Sequence, residues 1–256
     1  MLTDMPIVEE KIREWIKKFI EGRNNELWRQ PIIGFSDARD RMFSKLRKVV
    51  SENHLIPEEA FSPARSVIVY FIPFSRKVVE SNIQGRYSSR LWAEAYLETN
   101  KLIVDLNNYI ARKLELNGYS SLVLPPTHNF DEHRLVSDWS HKHVAYISGI
   151  GTFGKHTLLI TESGCCGRLG SLITQAELEP NERIEDEYCL WKNEEGCLAC
   201  VKRCRFGALT EDGFDRRRCY SICLENDAFH SDLPLTDVCG KCACGVPCSM
   251  QNPLKG

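Results

Sequence analysis

All twelve cysteines of this 256-residue sequence lie after residue 164, and ten of them fall between Cys189 and Cys248. In a short secreted chain that density reads as a disulfide framework. The N-terminus argues otherwise: MLTDMPIVEEKIREWIKKFIEG sets Ile7, Ile12, Trp15, Ile16 and Phe19 at helical spacing with charges between them, which is an amphipathic helix and not a signal peptide. No window approaches the ~18 uninterrupted apolar residues of a spanning helix. A cytoplasmic, non-membrane protein is therefore expected, and in that reducing compartment clustered thiols point to metal.

The spacing sharpens the metal. One run is Cys189 followed by Cys197-Leu-Ala-Cys200-Val-Lys-Arg-Cys204; the other is Cys239-Gly-Lys-Cys242 with Cys244 and Cys248 behind it, and Cys219 and Cys223 lie between the two. Soft thiolates suit iron-sulfur clusters or zinc, and in two-cluster ferredoxins the last cysteine of each run ligates the other cluster. On that logic Cys189, Cys197 and Cys200 take Cys248 as a crossing ligand, while Cys204 crosses to Cys219, Cys239 and Cys242, giving two [4Fe-4S] sites. Cys165, Cys166, Cys223 and Cys244 stay unassigned, with Cys244 the substitute for Cys242 or Cys219. The spacing departs from C-x2-C-x2-C-x3-C-P, with seven residues between Cys189 and Cys197 and with Arg205 and Ser249 at the proline positions. The competing reading is zinc knuckles, each held by four cysteines.

Residues 1–180 read as an α/β domain and 181–256 as a small cysteine-rich one, whose polar, turn-rich composition suits a segment stabilised by metal. Helices are expected over SDARDRMFSKLRKVV and over RLWAEAYLETNKLIVDLNNYIARKLELNG, stopping at Gly118. Strands are expected in ARSVIVYFIPF, SSLVLPP and LGSLITQAEL. With 33 basic and 35 acidic residues the net charge is -2, so nothing global favours nucleic acid or an anionic membrane.

Gly149-Ile-Gly151-Thr-Phe-Gly154 matches G-x-G-x-x-G by letters, but the following KHTLLIT reads as a strand, where a dinucleotide site requires a helix. The glycines serve either close approach to a large ligand, with Lys155 beside it, or a tight hairpin. Upstream, Asp131, His133, Asp138, His141 and His143 share a short stretch with aromatics and are candidates for proton transfer.

ARSVIVYFIPF, GRYSSRLWAEAYLETN, SGIGTFGKHTLLIT, GRLGSLIT and the two ferredoxin-type runs together resemble the epoxyqueuosine reductase family and, more distantly, the reductive dehalogenases. The resemblance covers roughly residues 60–250. It implies an α+β architecture: a nitroreductase-like α/β domain that binds cobalamin, followed by a small ferredoxin-like domain with two [4Fe-4S] clusters. It implies further that Gly149, Gly151, Gly154 and Lys155 lie along the corrin, that a low-potential ferredoxin or flavodoxin supplies electrons, and that the substrate is a small molecule or modified nucleoside. The family's acid ahead of the glycine turn is not matched: Leu135 falls near its position, leaving Asp138 and His141 as the expected proton donors, with His133 and His143 behind them. The epoxyqueuosine enzymes also continue into a helical domain that helps hold tRNA, which this sequence does not extend to, so tRNA is not the expected substrate. An alternative is an electron-transfer or corrinoid-reducing protein that serves a partner enzyme.

Overall fold

The computed structural model describes residues 9–23, 26–193 and 196–255. The first amphipathic stretch forms α1 (Glu9–Glu21), which buries Ile12, Ile16 and Ile20; Ile7 lies outside the described residues. Strand β1 (Ile32–Asp37) follows, then α2 (Arg41–Val49), whose first turn is capped by the Asp40 carboxylate accepting from the Met42 amide. A single turn, α3 (Pro57–Ala60), leads to β2 (Ser66–Pro73), all of whose residues are buried. Next come α4 (Arg76–Ser81) and the long α5 (Arg90–Glu115), where the Ser89 hydroxyl accepts from the Trp92 amide at 3.1 Å.

The chain continues through β3 (Ser121–Val123), α6 (His141–Ile147), the two-residue strands β4 (Thr152–Phe153) and β5 (Leu159–Ile160), and β6 (Gly167–Thr174). Two helices, α7 (Ala199–Arg203) and α8 (Arg216–Phe229), serve the cysteine-rich segment. Among the described residues no helix is long and apolar enough to cross a membrane.

The main sheet has four strands in the order β1-β2-β6-β3, and every pairing is antiparallel. The architecture is thus mixed α+β, and the alternating helices and strands do not build a parallel sheet. Successive side chains on a strand face opposite ways, and β2 shows the consequence. Ile68, Tyr70 and Ile72 pack with Ile12 and Ile16 of α1 and with Ile103, Leu106 and Ile110 of α5. Val67, Val69 and Phe71 pack with Phe43 of α2 and Val144 of α6. Helices therefore cover both faces, which is why VIVYFI is a continuous apolar run and not an alternating one.

Several elements of the structure go beyond or against the sequence reading. Strand β1 was not expected, because Pro31 and Gly34 interrupt the β-branched pattern; Gly34 is required there because a Cβ would collide with Ile150 and Ser148. Of KHTLLIT only Leu159 and Ile160 are strand, pairing with Phe153 and Thr152 in a small hairpin. The apolar HVAYI ahead of the glycines is helix α6.

The cysteine-rich segment is knitted into the sheet layer. The Cys165 and Cys166 amides donate to the Cys248 and Ser249 carbonyls at 2.9 and 3.1 Å. Arg29 spreads its guanidinium over three carbonyls, those of Phe74 (2.9 Å), Met250 (3.0 Å) and Ser163 (2.7 Å). Asn226 and His230 on and after α8 bond Ser88, just before α5.

Candidate active site

Cys189, Cys197, Cys200 and Cys248 line one small pocket, together with Lys155 and His156. The short α7 presents Cys200 from its second position, and the Lys155 amide donates to the Cys189 sulfur at 3.4 Å. A second cavity, of about 350 Å³, is walled in part by Cys204, Cys219, Cys223, Cys239 and Cys242. Cys219 and Cys223 are four apart on α8 and so share one face. The structure thus gathers the cysteines in the two groups that the crossing spacing describes, and adds Cys223 to the second.

Burial pushes these thiols up: Cys200 and Cys239 to about 11, and Cys242 well above its ordinary value. In the Cys219–Cys223 pair the hydrogen bond lowers Cys219 and raises Cys223. Without metal these groups keep their protons, and a metal must displace them to bind thiolate. Between Cys239 and Cys242 the buried Lys241 sends its ammonium to the Asn82 and Gln84 carbonyls at 3.0 and 2.7 Å, a fixed positive charge beside sulfurs that become anionic on ligation.

The remaining cysteines are structural neighbours of these groups. The Cys166 and Cys244 sulfurs are 3.9 Å apart, and the Cys166 thiol points at the Ala243 carbonyl at 3.2 Å. The ligand atoms of His156, Cys165 and Cys248 all lie within 4.8 Å of one another. Cys165 also borders the 350 Å³ cavity and a larger one of about 530 Å³.

That larger cavity lies between α6, the 126–137 loop and the start of β6. It shares Thr157, Leu158, Cys165, Gly167, Arg168 and Phe214 with the cysteine-walled cavity, so the two adjoin. His141 is on its wall but fully engaged: Nδ1 meets the Ser171 hydroxyl at 2.8 Å and Nε2 the Pro125 carbonyl at 2.9 Å. Burial depresses it to about 4, so it is neutral at physiological pH. His143 is also held down to about 4, by burial and then by Lys142; its Nδ1 meets the Ser140 hydroxyl at 2.7 Å and its Nε2 has no partner among the described residues.

Asp138 is not on this wall; its carboxylate accepts weakly from Asn129 at 3.4 Å, and its backbone carbonyl receives the Leu55 amide at 2.8 Å. His133 is exposed on the loop outside. The wall position that an acid was expected to fill is taken by Leu135, with φ 54°. The pair Asp138 and His141 therefore does not converge on one reacting point.

The glycine turn spends its space on the chain itself. A Cβ at Gly149, which has φ 65°, would strike the Glu182 carbonyl; one at Gly151 would strike the Ile160 carbonyl, and one at Gly154 the His156 ring. None of the three lines either cavity. Lys155 faces the Cys189 pocket, with its ammonium on the Glu211 carbonyl at 2.6 Å and 4.1 Å from the Trp191 ring centroid. Gly154 opens the turn between β4 and β5, while Gly149 and Gly151 precede β4.

No family model matches the chain. Over 174 residues it is 28% identical to an epoxyqueuosine reductase of Listeria monocytogenes, covering 67% of this chain and 43% of that protein. Over 187 residues it is 27% identical to the Bacillus cereus epoxyqueuosine reductase, covering 70% and 45%. The chain is epoxyqueuosine reductase-like. It spans less than half the length of these curated relatives. The epoxyqueuosine reductase-like fold extends further than the sequence match: the Streptococcus thermophilus epoxyqueuosine reductase superposes with a TM-score of 0.59 at 19% identity, over 92% of this chain and 64% of that one. A catabolic reductive dehalogenase gives 0.60 at 15% identity, over 88% and 30%.

Sequence reasoning missed three cations of the larger cavity: Lys142, Arg168 and Arg216. One signal was available, since Arg168 is a lone charge inside the otherwise uncharged strand GRLGSLIT. Lys142 and Arg216 gave none, because each belongs to a run of polar residues that reads as a solvated face.

Proposed function

We propose that this chain is an iron-sulfur, corrinoid-dependent reductase of the epoxyqueuosine reductase type, acting on an electrophile held in the 530 Å³ cavity. The observation that carries the reading is that this cavity shares six lining residues with one walled by Cys204, Cys219, Cys239 and Cys242, which in turn shares His156 with the second four-cysteine pocket. Two sets of four soft donors fit two cubane clusters, which carry electrons one at a time. A related reductive dehalogenase structure has been used to argue a mechanism for B12-dependent dehalogenation. Thr157, Leu158, Gly167 and Arg168, which line both cavities, would hold a corrinoid where the two adjoin. Such a cofactor supplies low-potential cobalt chemistry; the protein positions and insulates it.

The chain's own residues do the rest. Phe130, Trp139 and Leu135 give the substrate space an apolar wall. His143, with Nε2 free of any partner among the described residues, is the ring placed to pass a proton from water to the reduced product. A relative has been solved with an epoxyqueuosine-modified tRNA stem loop, and a modified nucleoside is one substrate class for this chain, alongside free small molecules. The electron donor is of the low-potential ferredoxin or flavodoxin type.

The test is metal analysis and an absorption spectrum of anaerobically purified protein, incubated with cobalamin and passed through gel filtration. About eight irons per chain with retained cobalt supports the reading. Iron without cobalt leaves an electron carrier, and zinc alone overturns it.

A further inference from the structure

Buried polar side chains ordinarily use every hydrogen-bonding group they have. His156 is buried in the turn between β4 and β5 and does not line the 530 Å³ cavity. Among the described residues it is the one that lines both cysteine-walled spaces: the small pocket of Cys189, Cys197, Cys200 and Cys248, and the 350 Å³ cavity of Cys204, Cys219, Cys239 and Cys242.

Its two ring nitrogens are assigned by what they meet. The Leu158 amide donates to Nδ1 at 3.2 Å, so Nδ1 is an acceptor and carries no proton. The proton is therefore on Nε2, which lies 3.4 Å from the Cys248 sulfur. An imidazolium, with donors at both nitrogens, would set Nδ1 against the Leu158 amide. The turn is built around this ring. A Cβ at Gly154 would fall 2.5 Å from its Cε1, and Thr157 takes φ 63°, a costly conformation for a β-branched residue that survives only where its surroundings demand it. The same turn sends the Lys155 amide to the Cys189 sulfur at 3.4 Å. Cys248 is fixed at its backbone by Cys165, whose amide donates to the Cys248 carbonyl at 2.9 Å.

We propose that His156 is a positioning residue of the electron path: its Nε2–H donates to the Cys248 thiolate of the cluster held by Cys189, Cys197, Cys200 and Cys248, and raises that cluster's reduction potential. Hydrogen bonds to cluster sulfurs draw charge from the metal and ease the arrival of an electron. The bond strengthens as the electron arrives, because the sulfur becomes more negative. Cys248 is the ligand that crosses over from the second cysteine run, so the same bond ties the β4–β5 hairpin to the end of the cysteine-rich segment. The inference rests on the proposed function for the presence of the clusters; the donor and its target are set by the ring's own contacts.

The test is pulsed electron paramagnetic resonance and a redox titration of the anaerobically purified, reduced holoprotein, with its histidine rings labelled with the heavy nitrogen isotope. The expected signature is a weak nitrogen coupling in the signal of one cluster, absent from His156→Gln labelled in the same way. In the titration, His156→Leu lowers the ratio of reduced to oxidised cluster at a fixed potential by at least about three-fold for one cluster and leaves the other unmoved. His156→Gln, whose amide can donate in place of the ring, recovers most of that loss. Iron is measured on every sample, and if His156→Leu loses iron the wild-type spectrum alone decides. Clusters without a histidine coupling overturn this inference and spare the proposed function; so does a coupling as large as direct iron–nitrogen ligation, or a ratio that His156→Leu leaves unchanged. Protein without iron overturns both.

Discussion

Acidification should unfasten the cavity wall through His141. Its imidazole is buried, is held by Ser171 and Pro125, and is depressed from 6.5 to about 4. A base whose folded pKa lies below its unfolded one binds more protons unfolded, so its contribution is fully present above about pH 6.5 and is lost as pH falls toward 4. Integrating the two titrations between pH 7 and pH 4.5 gives a loss of about 2 kcal/mol from this residue. The perturbation is His141→Gln, which cannot titrate in this range and costs about 1–3 kcal/mol at neutral pH through the disturbed Ser171 and Pro125 hydrogen bonds. The assay is urea unfolding of both holoproteins at the two pH values, followed by tryptophan fluorescence. Acid effects on the cysteine sites are common to both proteins and cancel in the difference. The stability gap between wild type and variant should shrink by about 2 kcal/mol on acidification. A gap that stays constant refutes the assignment of His141 as a neutral, buried wall residue.

Three further outcomes are expected. Cys248→Ala and Cys242→Ala should each lower iron from about eight to about four per chain, since each sulfur belongs to a different group of four; iron and sulfide assays check this. Because Cys200 and Cys239 sit at about 11 when unligated, metal uptake must release protons, so reconstitution should weaken steadily as pH falls, with the released acid measurable by titration. Gly149→Ala should destabilise by at least about 2 kcal/mol, read as a lower melting temperature, since its Cβ would enter the Glu182 carbonyl at φ 65°.

The parts of the fold that sequence disclosed are those where one local pattern suffices. Helix α5 runs 26 residues with a single apolar stripe and a serine cap, and β2 is a β-branched run long enough to be nothing else. Strand β1 was hidden because its place is granted by β2, which supplies the hydrogen bonds that a segment containing glycine could not secure alone. Helix α8 was hidden for a related reason: its buried residues, Ile222 and Asn226, are few, and it is held by caps and by contacts with Ser88. At the site, sulfur spacing carried the grouping of cysteines because covalent sequence distance limits which thiols can meet. The histidines were different. Whether His141 faces a cavity with a free nitrogen or a serine across a strand depends on β6, 30 residues away, and nothing local encodes that.

The crossing of Cys248 into the pocket of Cys189, Cys197 and Cys200 has a consequence for biosynthesis. The second group is likewise incomplete until Cys239 and Cys242 are made, although Cys204 and Cys219 precede them. During translation, then, neither set of four sulfurs exists while the sheet and its helices are emerging, and a nascent chain can hold at most partial sets with loose thiols. Cofactor loading becomes a late, nearly simultaneous event for both sites, and a ribosome that stalls between residues 204 and 238 leaves a product with neither site whole. Such products would be marked by exposed thiols rather than by exposed core, because the sheet and its covering helices are already encoded upstream.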